Sequence, residues 1–523
     1  MSNNSQLTAW LPELIYAGGR FQSDLAVVSD GRTGRVISLT RADEIDSAAR
    51  VVRLPNRALL PGMVNAHSHA FQRAIRGRTE VRSAARDTFW TWREMMYSAA
   101  ERLLPEDLYD ASRMAFLEMA LSGITSVGEF HYLHHNPDGT PYDDPNLLSK
   151  QVVRAARDVG LRVALLRVAY ARSGFRAEPN PRQSRFVTPD ADTFLKHLDA
   201  LSTDSASEYD ASNDRPATAS GGAAAVARGH GITDEISASP VAWAGVAPHS
   251  VRAVPLPYLR EVCAHARAKR LPVHMHVAEQ PAENEACLAE HGRTPVRLLA
   301  DEHLLDERFT AVHAVHITAD EARALAGAQV CACPTTERNL GDGVVPADLL
   351  FDAGAGVALG TDSHTQIDLL EDARELEYHL RLQKLSRAVL APLSGSSGGG
   401  QDAADSSRPA AAQADDEHTH SQISALAARL FGCATAAGAR SLGFDGGELR
   451  AGAAADFFTV ALDDPSIAGA GADDLLPAIV FSLSRAAVRE TVVGGRPVVE
   501  QSRHAAQDEI VSRFAALQRR LWS

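Results

Sequence analysis

The sequence predicts a (β/α)8 barrel of the TIM type, accompanied by a small discontinuous β-sandwich domain that both ends of the chain build. Short apolar runs that alternate with amphipathic stretches predict the barrel, and runs punctuated by glycine at both ends predict the second domain. A chain of 523 residues also exceeds what one hydrophobic core usually supports. A large domain with a satellite is therefore expected.

The small domain is predicted from residues 1–60 and 443–523, with a helix at the C-terminus. Residues 14–60 alternate short apolar runs, such as DLAVVSD and GRVISLT, with Gly, Asp and Asn turns, which is typical of an antiparallel sheet. The same pattern returns near the end of the chain in GGELRAGAAADFFTVAL and AAVRETVVGG. We therefore expect the two ends to form one sandwich beside the central domain.

The central residues 61–442 contain eight short apolar runs, most of them separated by helical stretches. LPEDLYDASRMAFLEMALSG, for example, places apolar residues at three-and-four spacing and ends in glycine, as amphipathic helices do. Eight strand–helix units predict a closed barrel. The runs are, in order, ALLPGMVNAHSH, GITSVGEF, LRVALLRVAY, VAWAGVAPHS, LPVHMHVAEQ, FTAVHAVHIT, AQVCACPTT and GVALGTDSH.

Two segments do not fit the barrel pattern, namely residues 202–239 and 393–421. Both are rich in Ser, Ala, Gly and Asp, with too few large apolar residues to offset the entropy of ordering the chain. The composition predicts flexible insertions at the surface.

Charge and cysteine content favour a soluble protein of the cytoplasm that acts on a small molecule. The net charge of −14 argues against binding to nucleic acid or to an anionic membrane. Five cysteines are too few for a disulfide framework in a chain of this size. The N-terminal sequence lacks the pattern of a signal peptide, and no apolar run is long enough to span a membrane.

The candidate site residues follow the strand-like runs, which is where barrel enzymes place their active sites. His67 and His69 follow the first run, His276 lies in the fifth, and Asp362 follows the eighth. Because alternate residues of a strand project to the same side, both imidazoles of the H-x-H pair should enter the barrel mouth. A single histidine after a strand is usually structural, so the argument depends on the set.

Three imidazoles and a carboxylate suit a Zn²⁺ ion that keeps one position open for water. Fe²⁺ and Mn²⁺ also fit these residue types. Cys331 and Cys333 alternate on a buried strand and are expected to be core residues. Trp90 and Trp92 are expected to pack beneath a loop at the barrel mouth.

The motifs GMVNAHSH, HMHVAE, AVHAVH and GTDSH, in this order, resemble the metal motifs of the amidohydrolase superfamily. The resemblance implies that four residues hold the metal and that Glu279, His313 and Asp362 are catalytic beside it. Binuclear members also carry a carboxylated lysine at the end of a middle strand. The four lysines of this chain do not follow strands, so one metal is expected. The implied ligands are His67, His69, His276 and Asp362.

The flanking sequences HSHAFQRAIRGRTE, DTFWTWREMMY, APHSVRAVP and TERNLGDGVVPADLLFDAG resemble the branch of that superfamily that deiminates N-formimino-L-glutamate in histidine degradation. The resemblance implies a hydrolysis that yields N-formyl-L-glutamate and ammonia, and a homodimer. Arg93 and Arg252 can each present a planar fork of donors to a carboxylate of an acidic substrate. The resemblance places around the substrate Gln72, Arg93, Tyr132, His249 and Arg252.

Two other functions remain open from the sequence. The metal motifs do not choose the substrate, so a deaminase of a purine, pterin or triazine ring is the alternative within the enzyme class. A catalytically silent barrel used for binding is the alternative outside it. The complete set of motif residues argues against a silent barrel, and the paired arginines favour an acidic substrate over a neutral ring.

Overall fold

The computed structural model describes residues 7–80, 89–211, 239–392 and 412–523. Within them the chain forms an eight-stranded parallel sheet and a nine-stranded mixed sheet. The strands are, in chain order, β1 (Leu7–Ala17), β2 (Arg20–Gln22), β3 (Leu25–Asp30), β4 (Arg35–Arg41), β5 (Arg50–Pro61), β6 (Met63–Ser68), β7 (Ile124–His131), β8 (Arg162–Ala169), β9 (Ala242–Pro248), β10 (Val273–Val277), β11 (Phe309–His313), β12 (Gln329–Ala332), β13 (Gly356–Leu359), β14 (Phe457–Ala461), β15 (Val488–Val493), β16 (Arg496–Glu500) and β17 (Arg503–His504).

Helices follow most of the barrel strands, as the sequence pattern predicts. Short 3-10 turns connect several elements, including Ala70–Ile75 directly after β6. The helices are, in chain order, α1 (Phe89–Ala100), α2 (Pro105–Leu121), α3 (Leu147–Val159), α4 (Ala191–Ala211), α5 (Leu256–Lys269), α6 (Pro281–His291), α7 (Pro295–Asp301), α8 (Ala319–Ala324), α9 (Pro334–Leu340), α10 (Ala347–Ala353), α11 (Leu369–Lys384), α12 (Ala412–Ala434), α13 (Ala436–Leu442), α14 (Leu475–Ser482) and α15 (Gln507–Trp522).

Strands β6 to β13 pair in sequential order and form the predicted barrel. The first and last strands meet through a parallel bridge between Ser68 and Asp362. At this seam the backbone N–H of Asp362 donates to the carbonyl of His67 at 3.0 Å, and the N–H of His69 donates to the carbonyl of Asp362 at 3.1 Å. Backbone hydrogen bonds between the two ends of the sheet therefore join the candidate metal ligands.

The barrel strands are buried on both faces because the sheet surrounds one core and helices cover its outside. Every residue of β7 and β8 is buried, as expected for parallel strands that read as nearly continuous apolar runs. Helix α3 shows how the chain reverses between them. It buries one apolar face and ends at Gly160, whose φ of 91° is the left-handed conformation that glycine adopts without a Cβ clash.

The small domain is one continuous sheet made from both ends of the chain. Strand β14 pairs antiparallel with β5, so that Phe457 lies opposite Pro61. The N-terminal part differs in one respect from the antiparallel sheet that the sequence predicts, because β1 and β5 run parallel. The β3–β4 hairpin lies on one side of β1, and the chain then crosses to the other side to run along β1 in the same direction.

A buried ion pair connects the small domain to the barrel. Arg162 begins strand β8, and its Nε and Nη2 atoms contact the carboxylate oxygens of Asp456 at 2.7 and 3.0 Å. Asp456 precedes β14 and also accepts the backbone N–H of Gly494 at 2.7 Å. Both side chains of the pair are at most 2% exposed, so each charge depends on the other for its compensation.

Parts of the two expected insertions are helical. Residues 202–211 continue α4 and residues 412–421 belong to α12, so the prediction of loose chain is wrong for these parts. Each of these ten-residue parts contains two alanines, the residue with the highest helix propensity. Residues 212–238 and 393–411 lie outside the described residues. In the described parts of the chain, no helix is both long enough and apolar enough to cross a bilayer.

Replacement of Asp456 by Asn should strongly destabilise the protein, because the buried Arg162 would lose its counter-charge. Breaking a buried ion pair in this way costs about 3–5 kcal/mol. Asp508→Asn, which breaks the exposed pair with Arg503, is the matched control and should cost at most about 1 kcal/mol. Urea unfolding followed by circular dichroism measures both variants. Equal midpoints for Asp456→Asn and Asp508→Asn would contradict the interpretation.

Candidate active site

A cavity of about 560 Å³ opens at the carboxyl ends of the barrel strands. Its wall contains residues at the ends of the fifth and sixth strands and residues that follow the first to fourth and the eighth strands, together with α1 and the end of α9. His67 lies beneath the cavity floor and is fully buried. The other residues singled out from the sequence all line this cavity, and they are His69, Gln72, Arg93, Tyr132, His249, Arg252, His276, Glu279, His313 and Asp362.

The four expected metal ligands form one compact cluster. Nε2 of His67 lies 3.2 Å from Nε2 of His69 and 3.2 Å from Nε2 of His276. Oδ1 of Asp362 lies 3.3 Å from Nε2 of His67 and 3.2 Å from Nε2 of His69. Four ligands at zinc–nitrogen distances in a tetrahedron stand about 3.4 Å apart. The cluster therefore has the spacing and the donor types of a metal site.

The remaining ring nitrogens orient the histidines of this cluster. Nδ1 of His69 contacts the carbonyl oxygen of Phe130 at 2.9 Å, and Nδ1 of His276 contacts that of His249 at 3.2 Å. A carbonyl oxygen only accepts, so each Nδ1 is protonated and each Nε2 is left unprotonated to face the cluster. Burial lowers the pKa of His67 to about 3 and that of His276 well below its usual value, which keeps both rings in the neutral form that binds metals.

Asp362 is held ionised and in an unusual backbone conformation. Burial opposes ionisation, but the His67 and His69 side chains beside its Oδ1 keep the pKa of Asp362 well below its usual value. Its φ of 44° and the φ of 73° at His313 lie in the left-handed region that side chains with a Cβ seldom adopt. Such strain concentrates at functional sites, where the surrounding structure compensates for it.

Buried side-chain hydrogen bonds also join the two strands that meet at the barrel seam. Asn65 contacts Thr361 twice, through its Oδ1 to the backbone N–H at 3.0 Å and through its Nδ2 to Oγ1 at 2.7 Å. Oγ of Ser68 lies 3.0 Å from Nε2 of His364 and donates to Glu129 at 2.5 Å. These contacts fix the chain before and within the H-x-H pair and on both sides of Asp362.

Glu279 and His313 lie beside the ligand cluster on the cavity wall. Nε2 of His313 is 3.7 Å from Oε1 of Glu279 and 3.9 Å from Oδ2 of Asp362. Burial alone would lower the pKa of His313. The neighbouring carboxylates, led by Glu279 and Glu337, outweigh burial and place this pKa well above its usual value. Burial raises the pKa of Glu279. Two groups able to exchange protons therefore face the same point of the cavity.

The outer part of the cavity carries positive and neutral polar groups. The Arg93 guanidinium lies 5.5 Å from the ring centre of Tyr97. Nε2 of Gln72 donates to the hydroxyl of Tyr132 at 2.8 Å. Burial and the nearby Arg252 keep the pKa of His249 well below its usual value, so this imidazole is neutral. These groups can meet an anionic ligand that extends from the metal cluster towards the mouth.

Sequence reasoning missed much of the apolar wall. Trp92 lines the cavity, so the prediction that it packs beneath a loop is wrong, because α1 turns this face towards the barrel mouth. The Trp90 side chain lies outside the described residues. The periodic spacing of aromatics in α1 was the available signal, but it could not tell a cavity wall from a core. The other apolar wall residues are Phe89, Met96, Tyr97, Tyr170, Phe186 and Leu340.

The positions of the lysines and cysteines agree with the sequence analysis. Each lysine lies on a helix rather than at the end of a barrel strand, and the four helices are α3, α4, α5 and α11. Cys331 and Cys333 are buried in a small cluster with Val312 and Ala358. The described residues also bring His313, Cys333 and Glu337 within reach of one another, with the His313 ring and the Glu337 carboxylate already in contact.

Comparison with known proteins places this site in a family. The sequence profile of the Amidohydrolase family matches residues 58–498. The chain therefore belongs to the amidohydrolase family, whose members are hydrolases that typically depend on a metal.

The similarity extends to particular relatives. The chain is 35% identical over 459 residues to the formimidoylglutamate deiminase of Pseudomonas aeruginosa, with 87% of this chain and 88% of that protein covered. It is 28% identical to a 5-methylthioadenosine/S-adenosylhomocysteine deaminase of Halobacterium salinarum, over 95% of this chain and 93% of the other.

Solved structures share the fold over nearly the whole chain. An amidohydrolase from Brucella melitensis superposes with a TM-score of 0.80 at 30% identity, covering 99% of this chain and all of the other. A zinc complex of atrazine chlorohydrolase from Arthrobacter aurescens has a TM-score of 0.73 at 21% identity, with 98% of this chain and 99% of that chain covered. The second likeness concerns the fold alone.

Elemental analysis of the purified protein should find one divalent metal per chain, because the described residues offer one cluster of four ligands at tetrahedral spacing. His276→Ala and Asp362→Ala should lose most of it. His274→Gln is the matched control on the same strand, because the His274 ring contacts the carbonyl of Ser441 instead of the cluster. Two metals per active chain, or full metal content in His276→Ala, would contradict the assignment.

Proposed function

We propose that this protein hydrolyses N-formimino-L-glutamate to N-formyl-L-glutamate and ammonia, as a step of histidine degradation. The observation that carries the proposal is a cavity that combines the four-ligand cluster with Arg93 and Arg252. The 35% identity with a formimidoylglutamate deiminase over most of both chains supports it. The substrate has an amidine-like carbon at one end and two carboxylates at the other, which matches the two regions of the wall.

The finer assignments belong to the same proposal. Zinc is the metal, held by His67, His69, His276 and Asp362, since neutral imidazoles and one carboxylate suit its borderline character. The enzyme works in the cytoplasm as a homodimer, and it binds neither nucleic acid nor membrane. The net charge of −14 favours a small ligand over a polyanion.

When bound, zinc supplies Lewis-acid activation of the attacking water at neutral pH. Asp362 receives the proton that the water gives up. His313, whose Nε2 lies 3.9 Å from Oδ2 of Asp362, orients the developing tetrahedral centre. Glu279, 3.7 Å from His313, carries a proton to the departing nitrogen, because ammonia is a far better leaving group than an amide anion.

Substrate orientation depends on the outer wall in this proposal. The two arginines bind the carboxylates of the glutamyl part, since a guanidinium fork matches both oxygens of a carboxylate. Tyr132, whose hydroxyl accepts a hydrogen bond from Gln72, keeps its own proton available for the substrate. His249 lies between the arginine and the metal cluster and contributes a neutral imidazole.

A ring deaminase is the second candidate. Relatives that deaminate 5-methylthioadenosine, S-adenosylhomocysteine or 8-oxoguanine, by their names, match 71–95% of this chain at 25–28% identity. The aromatic residues of the cavity wall could stack on a base. Two cationic side chains beside the cluster are better suited to an acidic substrate, and the higher identity with the formimidoylglutamate deiminase favours the same choice.

An ammonia-release assay on the zinc-loaded enzyme tests the proposed substrate. N-formimino-L-glutamate should be turned over much faster than guanine, adenosine, 5-methylthioadenosine or cytosine. Glu279→Gln is the matched negative control, since it is not among the metal ligands and should lose about 10²–10⁴-fold in rate while keeping its metal. Preferred release of ammonia from a nucleobase would replace the proposal with the second candidate.

Arg93→Ala and Arg252→Ala should each lower kcat/KM for N-formimino-L-glutamate by about 10- to 150-fold, because each variant loses a charged hydrogen bond of about 1.5–3 kcal/mol. Lysine at either position should recover only part of the loss, since the charge returns without the fork. Arg260→Ala is the control, because Arg260 is an exposed residue of α5 that pairs with Glu302.

A substrate analogue separates recognition from damage to the fold. The diamide of N-formimino-L-glutamate lacks both carboxylate charges, so it should be a poor substrate of the wild type and should be affected much less by the two arginine replacements. Unchanged kinetics on the natural substrate in both variants would remove the proposed carboxylate contacts.

A further inference from the structure

Glu337 is a buried carboxylate to which neither the sequence analysis nor the proposed mechanism assigns a role. It lies on α9, which follows barrel strand β12, and it is 1% exposed. Its Oε1 accepts the backbone N–H of Cys333 at 2.9 Å and contacts Nδ1 of His313 at 3.2 Å. It does not line the cavity, so it touches the His313 ring from behind.

This contact determines which nitrogen of His313 carries hydrogen. The same Oε1 accepts the backbone N–H of Cys333, so it faces His313 as an acceptor and the Nδ1 in contact with it is the donor. When the His313 ring gives up its second proton, that proton therefore leaves from Nε2, and Nε2 becomes the acceptor. Nε2 is the atom that lies 3.7 Å from Glu279 and 3.9 Å from Asp362. The Glu337 contact at Nδ1 therefore makes Nε2 the nitrogen that can accept or release a proton at the reaction centre.

The contact also fixes the direction of the ring. His313 ends strand β11 with a φ of 73°, and the His276 ring stacks against it at a centroid distance of 5.5 Å. Stacking permits rotation of the imidazole within its own plane, so it cannot distinguish the two nitrogens. The carboxylate of Glu337 is the described contact that does.

We propose that Glu337 is a positioning residue of the reaction, which holds His313 in the Nδ1-protonated tautomer with Nε2 directed at the reaction centre. The inference rests on the proposed function only in naming the reaction that His313 serves. A simpler role for Glu337 would be to cap the start of α9 through Cys333. Asp372 provides the comparison, because it is another fully buried carboxylate that accepts a backbone N–H at that helix start, from Thr335 at 3.0 Å.

Kinetics of zinc-loaded variants separate the two roles. Glu337→Leu should lower kcat by about 10²–10³-fold with little change in KM or metal content, because substrate and metal contacts remain. Glu337→Gln can retain both contacts through its Oε1 and should recover most of the loss. Asp372→Asn, the capping control, should leave kcat within about threefold while lowering the melting temperature.

A double-mutant cycle tests whether Glu337 acts through His313. In a His313→Asn background, Glu337→Leu should lower kcat by less than about twofold further, since the ring that it positions is gone. The same factor in both backgrounds would overturn the proposal, and so would wild-type kcat in metal-replete Glu337→Leu.

A spectroscopic measurement decides the inference without turnover. Two-bond ¹H–¹⁵N correlation spectra of ¹⁵N-histidine-labelled zinc protein, with His313 assigned by the loss of its signals in His313→Asn, should show a protonated Nδ1. Glu337→Leu should shift those signals towards a mixture of tautomers, and an unchanged Nδ1–H pattern would overturn the proposal. If the wild type releases no ammonia from N-formimino-L-glutamate, the proposed function fails while these spectra still decide the role of Glu337. If Glu337→Leu does not fold, the wild-type spectrum and Glu337→Gln decide it.

Discussion

The closure of the barrel at the seam between β6 and β13 is the constraint on which the site depends. His67 and His69 exchange backbone hydrogen bonds with Asp362, although nearly three hundred positions of the chain separate them. Ligands from the first and last strands therefore reach one point only when the sheet has closed. The strained φ of Asp362 persists because bonds on both of its sides over-determine its position.

Burial then sets the chemistry of the groups that closure brings together. In a low-dielectric interior His67 and His276 remain neutral, and an ionised carboxylate survives only where polar groups surround it. Asp362 lies against two imidazoles and keeps a low pKa, whereas burial raises the pKa of Glu279. The same surroundings thus separate a metal-binding carboxylate from one suited to carry a proton.

The sequence predicted the features that local pattern encodes. Apolar runs located all eight barrel strands, and position at a strand end located the residues around the cavity, because strand direction fixes where a side chain emerges. The sequence pattern did not predict contacts between segments that are distant in the chain. The parallel pairing of β1 with β5, the place of Trp92 on the cavity wall and the approach of Glu337 to His313 depend on how whole elements pack. Composition also misjudged the helical parts of α4 and α12, because alanine-rich polar chain can be either loose or helical.

The pairing of β5 with β14 has a consequence for how the protein is made. One edge of β5 has no neighbour until β14, which follows several hundred residues further along the chain, leaves the ribosome. During most of synthesis, the nascent N-terminal strands present unpaired backbone groups, which are templates for wrong association. The buried charge of Arg162 likewise stays uncompensated until Asp456 has been synthesised. Completion of the small sheet is thus a late event, and nascent chains that stop before β14 would carry an open edge and an uncompensated buried charge.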